Sequence, residues 1–307
     1  MTGTLDAEAA CALLGRAGFP TDPRAVRVEP REDRWAVSLP GDRMAWFPMN
    51  PAGARRLERE RRVLDLLAAR CPFRTPRVVH ADAAGWQPRD LVPGTCDPWP
   101  LYRRTQADPA LARRIGRALG GILAAQHRCA GPEDLADWLP HRPPWPEPFT
   151  RLRAGLAQVV EDPALRRAAE SVVSRYERAM SETALGNRVL VHGDLGLHNV
   201  ALVPGTDEVA GVFDYDGTAW ADRHEDFRYL VFLETDEEAM LEGALEVYEP
   251  AVGSHLDRDR IRLGNAACAI GFLAFRCGTP PEARSCGRTL AEDLDWVGRA
   301  LRASGER

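Results

Sequence analysis

LVHGDLGLHNVALVPGTDEVAGVFDYD, residues 190–216, sets a His-Gly-Asp turn at His192 to Asp194, an amide at Asn199 and a second carboxylate at Asp214. Leu190 and Val191 read as the end of a buried strand, Val200 to Val203 as a second strand and Glu208 to Asp214 as a third. Pro204-Gly205-Thr206-Asp207 between the last two is turn chemistry. If Val203 pairs with Glu208, Asn199 lies opposite Val212 and Asp214 projects just past it. One hairpin then carries Asn199 and Asp214 to the same open end, next to the loop that holds Asp194. Hard oxygen donors of this kind suit Mg²⁺, and a nearby free carboxylate suits a base that takes a hydroxyl proton. A phosphotransferase of the kinase type needs that set of groups.

The same residues carry a resemblance. HGDLGLHN is similar to the HGDxxxxN catalytic loop of the aminoglycoside phosphotransferase family, the small-molecule branch of the protein-kinase-like fold. The resemblance implies that Asp194 is the catalytic base, Asn199 and Asp214 are metal ligands, and His192 is structural. Ala221 to Phe227 resembles the family's GDPxxDL stretch, which implies that Asp226 supports the catalytic loop. The implied fold is α+β and two-lobed, with an N-terminal nucleotide-binding lobe at 1–92. A mainly helical catalytic and substrate-binding lobe follows at 93–307. The implied cofactors are Mg²⁺ and ATP or GTP as phosphoryl donor.

Each fragment alone has a plainer reading. Asp194 can be a turn or N-cap residue. His198 has no metal partner at ligand spacing and reads as a loop histidine. Asp214-Tyr215-Asp216-Gly217 begins like a calcium loop but lacks its third acidic position and terminal glutamate. Order and spacing over the whole stretch favour the phosphotransferase.

Composition narrows the classes. A net charge of −5 and a pI near 5.9 argue against nucleic acid as the main partner. No run of 18 apolar residues would span a membrane, and the first residues lack a signal peptide's basic start and apolar core. Seven cysteines without CxxC spacing fit reduced thiols in a cytoplasmic protein. The expected partner is a small molecule, bound by a monomer or weak dimer. All 40 basic residues are arginine, so any role that this fold gives to lysine falls to arginine or is left empty.

Upstream, strands are expected at Ala25 to Val28, Trp35 to Leu39 and Arg43 to Phe47. A helix follows from Pro51 to about Arg70, with Leu57, Leu64 and Leu67 on its inner face. Glu60 shares that face. The resemblance makes it the glutamate that orients a phosphate-binding cation, and makes Leu91-Val92-Pro93-Gly94 a hinge, with adenine contacted by backbone at Arg89, Asp90 and Leu91. Two departures stand out. Trp46 occupies the place where the family usually has a basic residue before Phe-Pro, and Pro30-Arg31-Glu32-Asp33-Arg34 has no glycine to admit phosphate. Arg31 or Arg34 is the candidate clamp, and Glu60 should pair with Arg34 or Arg43 or stay in water. Trp46→Lys should then strengthen nucleotide binding.

Downstream, helices are expected from Asp108 to Arg128, Asp162 to Met180, Phe227 to Glu234, Glu237 to Tyr248, Asp257 to Arg276 and Pro281 to Arg302. Pro140 to Pro148 is too proline-broken for regular structure. Between Asp222 and Glu249 ten carboxylates face two arginines, a local balance of −8. That charge would focus a cationic acceptor, with Asp222, Glu225, Glu234 and Asp236 as candidate contacts. An aminoglycoside-like antibiotic leads on the resemblance. The alternatives are a choline, homoserine or sugar kinase, or a pseudokinase-like binding protein on the same fold.

Overall fold

Capping residues set most helix starts. A computed structural model describes residues 4–143, 145–146, 149–231, 238–285 and 287–305. Asp6, Asn50, Asp108, Asp162 and Asp257 each accept backbone N–H bonds from the first turn of the helix that follows. These helices are α1 (Ala7–Arg16), α2 (Pro51–Arg70), α4 (Pro109–Arg128), α7 (Pro163–Ser181) and α9 (Arg258–Phe275). The others are α3 (Pro98–Ala107), α5 (Pro132–Leu135), α6 (Phe149–Val159), α8 (Ala239–Val252) and α10 (Leu290–Ala303). The chain divides into two units, one running to Cys96 and including Asn199–Asp216, the other comprising Asp97–His198 and Gly217 onward.

In the first unit, strands β1 (Arg27–Arg31), β2 (Arg34–Leu39), β3 (Arg43–Pro48), β4 (Arg77–Val78) and β5 (Gln87–Asp90) form an antiparallel sheet in the order β1-β2-β3-β5-β4. Alternation along β3 divides the faces. Ala45 and Phe47 are fully buried in an apolar core with Leu14, Val37 and Trp86, and Phe47 stacks on Trp86 at 5.2 Å. Met44 and Trp46 take the other face. Helix α2 packs on β3 and β4 with Leu57, Glu60, Leu64 and Leu67 inward.

The hairpin of β7 (Val200–Leu202) and β8 (Val209–Val212) belongs to this unit too. Val212 N–H donates to the Arg74 carbonyl at 3.1 Å, and Thr95 and Leu202 exchange two bonds of 2.9 Å. Those bonds explain why the division differs from the expected break after residue 92. The boundary falls after Cys96, and the hairpin joins the N-terminal residues.

Register differs as well. Val203 N–H donates to the Glu208 carbonyl as expected, but a β-bulge between Ala201 and Leu202 sets Val200 opposite Val212. The extra residue on β8 moves Asn199 opposite Phe213, one place nearer Asp214.

The second unit is mainly helical, with one two-stranded sheet of β6 (Arg188–Val191) and β9 (Ala219–Asp222). Helices α4 and α8 approach closely at glycines. A Cβ on Gly116 or Gly120 would lie 2.1–2.2 Å from a carbonyl oxygen of α8, so no larger residue fits without separating the pair. One expected helix is absent where it is described and another is shorter than the sequence suggests. In place of a helix from Phe227, a 3₁₀ turn capped by Asp222 spans Arg223–Phe227 and residues 228–231 are irregular, while Glu225 and Asp226 turn inward to buried partners. The rest of that expected helix lies outside the described residues. The last helix starts at Leu290, where Thr289 and Glu292 form a capping box.

Candidate active site

Asp226 organises the His192–Asp194 turn of the second unit. Its carboxylate is fully buried and accepts from the backbone N–H groups of His192 and Gly193, both at 2.9 Å. Gln126 Nε2 donates to it at 3.2 Å and His127 Nε2 lies 2.9 Å away. Both residues come from the end of α4, and the Tyr248 hydroxyl of α8 meets His127 Nδ1 at 2.8 Å. Burial alone would raise the Asp226 carboxyl, but the His127 bond, the nearby histidine charges and the Gly193 N–H hold it below the ordinary carboxylate value. Gly193 takes φ +82°, and a Cβ there would lie 2.2 Å from the Gly217 carbonyl, so this turn admits only glycine.

Asp194 follows on that turn, partly exposed, with its N–H facing His192 Nδ1 at 3.3 Å. Its carboxylate sits 3.3 Å from His198 Nε2. Burial opposes ionisation, yet the His198 bond and the His198, His192 and Arg228 charges hold Asp194 below the usual carboxylate range. A carboxylate kept ionised and reachable from solvent has the chemistry of a proton acceptor. His198 is therefore more than the plain loop histidine that sequence suggests; its four-residue spacing from Asp194 is the available signal. Arg228, buried beneath the loop, donates to the Gly193 carbonyl and to Glu225.

The first unit carries the other two motif residues. Phe213 N–H donates to the Asn199 carbonyl at 3.1 Å, placing Asp214 one residue past that bond. Asp214 is exposed and takes φ +67°, a conformation that costs a non-glycine residue about 1–3 kcal/mol and collects at functional sites. An amide oxygen and a strained, exposed carboxylate fit a hard cation that takes most of its ligands from phosphate and water.

The arginines fill the positions that sequence leaves in doubt. Arg89 grips Glu60 through two bonds, at 2.7 and 2.8 Å, with both side chains buried. Arg34 Nη1 stands 3.7 Å from the same carboxylate, and the Arg34 and Arg89 guanidiniums cover the Trp46 ring at 5.1 and 5.9 Å. Arg43, expected as an alternative partner of Glu60, pairs with Asp90 at 2.7 Å instead. Asp216, missed as a site residue, accepts from Arg34 Nη2 at 2.8 Å and from Nε and Nη2 of Arg56. Burial would raise the Asp216 carboxyl, but these guanidiniums hold it down. Arg31 lies on the exposed end of β1, and among the described residues its side chain meets Glu29 at 3.4 Å. The backbone of Arg89 and Asp90 is paired on both sides in the sheet, and Leu91 N–H is taken by the Asp42 carbonyl at 2.9 Å.

Two of the acidic contacts proposed for an acceptor are corrected by burial. Asp222 is bound by His224, Arg260 and Thr183, and Glu225 by Tyr176 and Arg228, so both carboxylates are spent inside the second unit. Glu234 and Asp236 lie outside the described residues.

Comparison with known proteins agrees with the fold. Residues 21–263 match the phosphotransferase enzyme family, APH, and the chain belongs to it; it is a phosphotransferase. An aminoglycoside 3'-phosphotransferase of Streptomyces fradiae is 29% identical over 213 residues, 61% of this chain and 69% of that protein. Among solved structures, the GDP and kanamycin complex of APH(2")-IIia superposes with a TM-score of 0.66 at 18% identity, covering 96% of each chain. The macrolide 2'-phosphotransferase MphH of Brachybacterium faecium, an apoenzyme, superposes with a TM-score of 0.61 at 21% identity, covering 98% of this chain and 100% of that one. No described helix is long and apolar enough to cross a membrane.

Proposed function

We propose that the protein transfers the γ-phosphoryl group of ATP or GTP to a hydroxyl of a small-molecule antibiotic, an aminoglycoside first among the candidates. Asp194 orients that hydroxyl and receives its proton. Asn199 and Asp214 hold Mg²⁺, which when bound neutralises charge on the phosphates. Arg34 offers a phosphate contact with bidentate geometry that lysine lacks. The observation that carries the reading is an ionised, solvent-reachable Asp194 on a turn rigidly held by Asp226. A pseudokinase would have no need of that set. The relatives bind GDP, ADP or ATP and, in several cases, an aminoglycoside, which supports both the donor class and the acceptor class.

A second acceptor reading has its own observation. Glu238, Glu242, Glu246 and Glu249 are each paired with an arginine of the second unit, from Arg113 and Arg117 to Arg258 and Arg262. The described carboxylates of α8 are therefore paired with arginine and add little focusing of a polycation, which suits a weakly charged acceptor such as a macrolide. Phosphate transfer from Mg²⁺-ATP and Mg²⁺-GTP to a panel of aminoglycosides, macrolides, choline, homoserine and sugars tests both. Turnover of an antibiotic class alone supports the proposal. Turnover of choline, homoserine or a sugar in preference moves the protein to metabolism, and no turnover with any antibiotic overturns the proposed acceptor class.

A further inference from the structure

The arginine cluster of the first unit is matched to carboxylates at every member but one. Arg89 pairs with Glu60, Arg34 with Asp216, Asp33 and Glu60, and Arg56 with Asp216, Asp33 and Glu32. Arg59 lies three residues after Arg56 on α2, hence on the same side of the helix. It is only partly exposed and makes no hydrogen bond or ion pair with any described residue. The charges that bear on it are those of Asp216 and Glu60, already engaged, and the like charges of Arg56 and Arg34. Burial and those like charges lower its pKa from the ordinary arginine value. A half-buried guanidinium flanked by two others is unfavourable until an anion joins it. Asp216, which holds the neighbouring forks, sits two residues after Asp214 in the chain.

We propose that Arg59, together with the Arg56 and Arg34 forks that now hold Asp216, forms an oxyanion site for the phosphates of the donor. Helix α2 thereby supplies the cation that β3 lacks at Trp46. Asp216 is the resident carboxylate of the site, and an incoming phosphate competes with it for the two forks. This inference rests on the donor reading given above, and its probe keeps the two apart.

Inorganic tripolyphosphate, without metal or nucleoside, is titrated calorimetrically into the full-length protein at low salt. The wild type should bind it, and Arg59→Ala should weaken binding at least tenfold. The thermal midpoint of the ligand-free Arg59→Ala protein should stay level or rise, because a charge without a partner has been removed. Arg59→Lys should keep part of the affinity, and Arg31→Ala all of it. Asp216→Asn should bind more tightly, at least threefold, since the forks lose their competitor. Unchanged binding in Arg59→Ala, or weaker binding in Asp216→Asn with the fold intact by circular dichroism, overturns the site. If tripolyphosphate binds through Arg59 but Mg²⁺-ATP and Mg²⁺-GTP do not bind, the anion site stands and the donor reading falls. If the nucleotides bind and tripolyphosphate does not, the reverse holds.

Discussion

Arg89 of β5 and Glu60 of α2 face each other through parallel bonds of 2.7 and 2.8 Å, with both side chains within a few per cent of full burial. The pair ties the helix to the sheet on the face where β3 presents Trp46 instead of a basic residue. Bidentate geometry suits guanidinium and carboxylate, so an all-arginine chain closes this contact from the neighbouring strand.

Removing one partner leaves a buried charge without compensation. Arg89→Ala should destabilise the protein by about 3–5 kcal/mol, read as a fall in thermal midpoint on the order of 10 °C. Arg89→Met combined with Glu60→Leu should recover most of that loss. A double variant as unstable as the single one would mean that the pair is not what holds α2 in place.

Asp226 should leave a signature in the pH dependence of stability. Its folded-state pKa lies below the unfolded value, so its contribution is complete above the ordinary aspartate value of about 4. That contribution is lost as pH falls through the lower, folded value. Asp226→Asn should lower stability at neutral pH and flatten the acid limb. Chemical denaturation at pH 7 and pH 3 checks this; equal wild-type and variant slopes across that range would remove Asp226 as the linked group.

His198 should tune the base. Its bond helps hold Asp194 below the usual carboxylate range, and a base works when deprotonated. In His198→Ala the acid limb of kcat/KM should move to higher pH, with turnover at pH 8 little changed. Asp194→Asn should instead cut kcat by two to four orders of magnitude at every pH. An unshifted acid limb in His198→Ala would assign that limb to another group.

How much of this is legible in sequence depends on range. Local signals hold: Asn50 and Pro51 mark the start of α2, and turn chemistry at 204–207 marks the hairpin. Spacing alone places Glu60 on the inner face. Contacts between distant positions are not legible. Asp216 and Arg34 are 182 residues apart, and nothing in a single sequence couples them. Sequence singles out the Arg89 backbone and says nothing of its side chain, which grips Glu60 across 29 residues. The bulge in β8 carries no composition of its own, so the register expected at Asn199 is one residue out. Asp222 and Glu225 read as surface charge because their partners, Arg260, Tyr176 and Arg228, become visible only once the chain folds.

Trp46 gives the last test. Sequence alone suggests that a lysine at this position would restore nucleotide binding. In the structure the ring lies beneath the Arg34 and Arg89 guanidiniums, contacts worth about 0.5–2 kcal/mol each, and Glu60 already has its partners. A lysine there would place a third cation beside two others and remove the surface on which they rest. Trp46→Lys should therefore lower the thermal midpoint and leave Mg²⁺-ATP affinity no better than in the wild type, while Trp46→Phe should keep both nearly unchanged. Calorimetric titration of the three proteins decides the matter. A tenfold gain in affinity for Trp46→Lys would show that the strand, and not its arginine neighbours, sets the charge available to the donor.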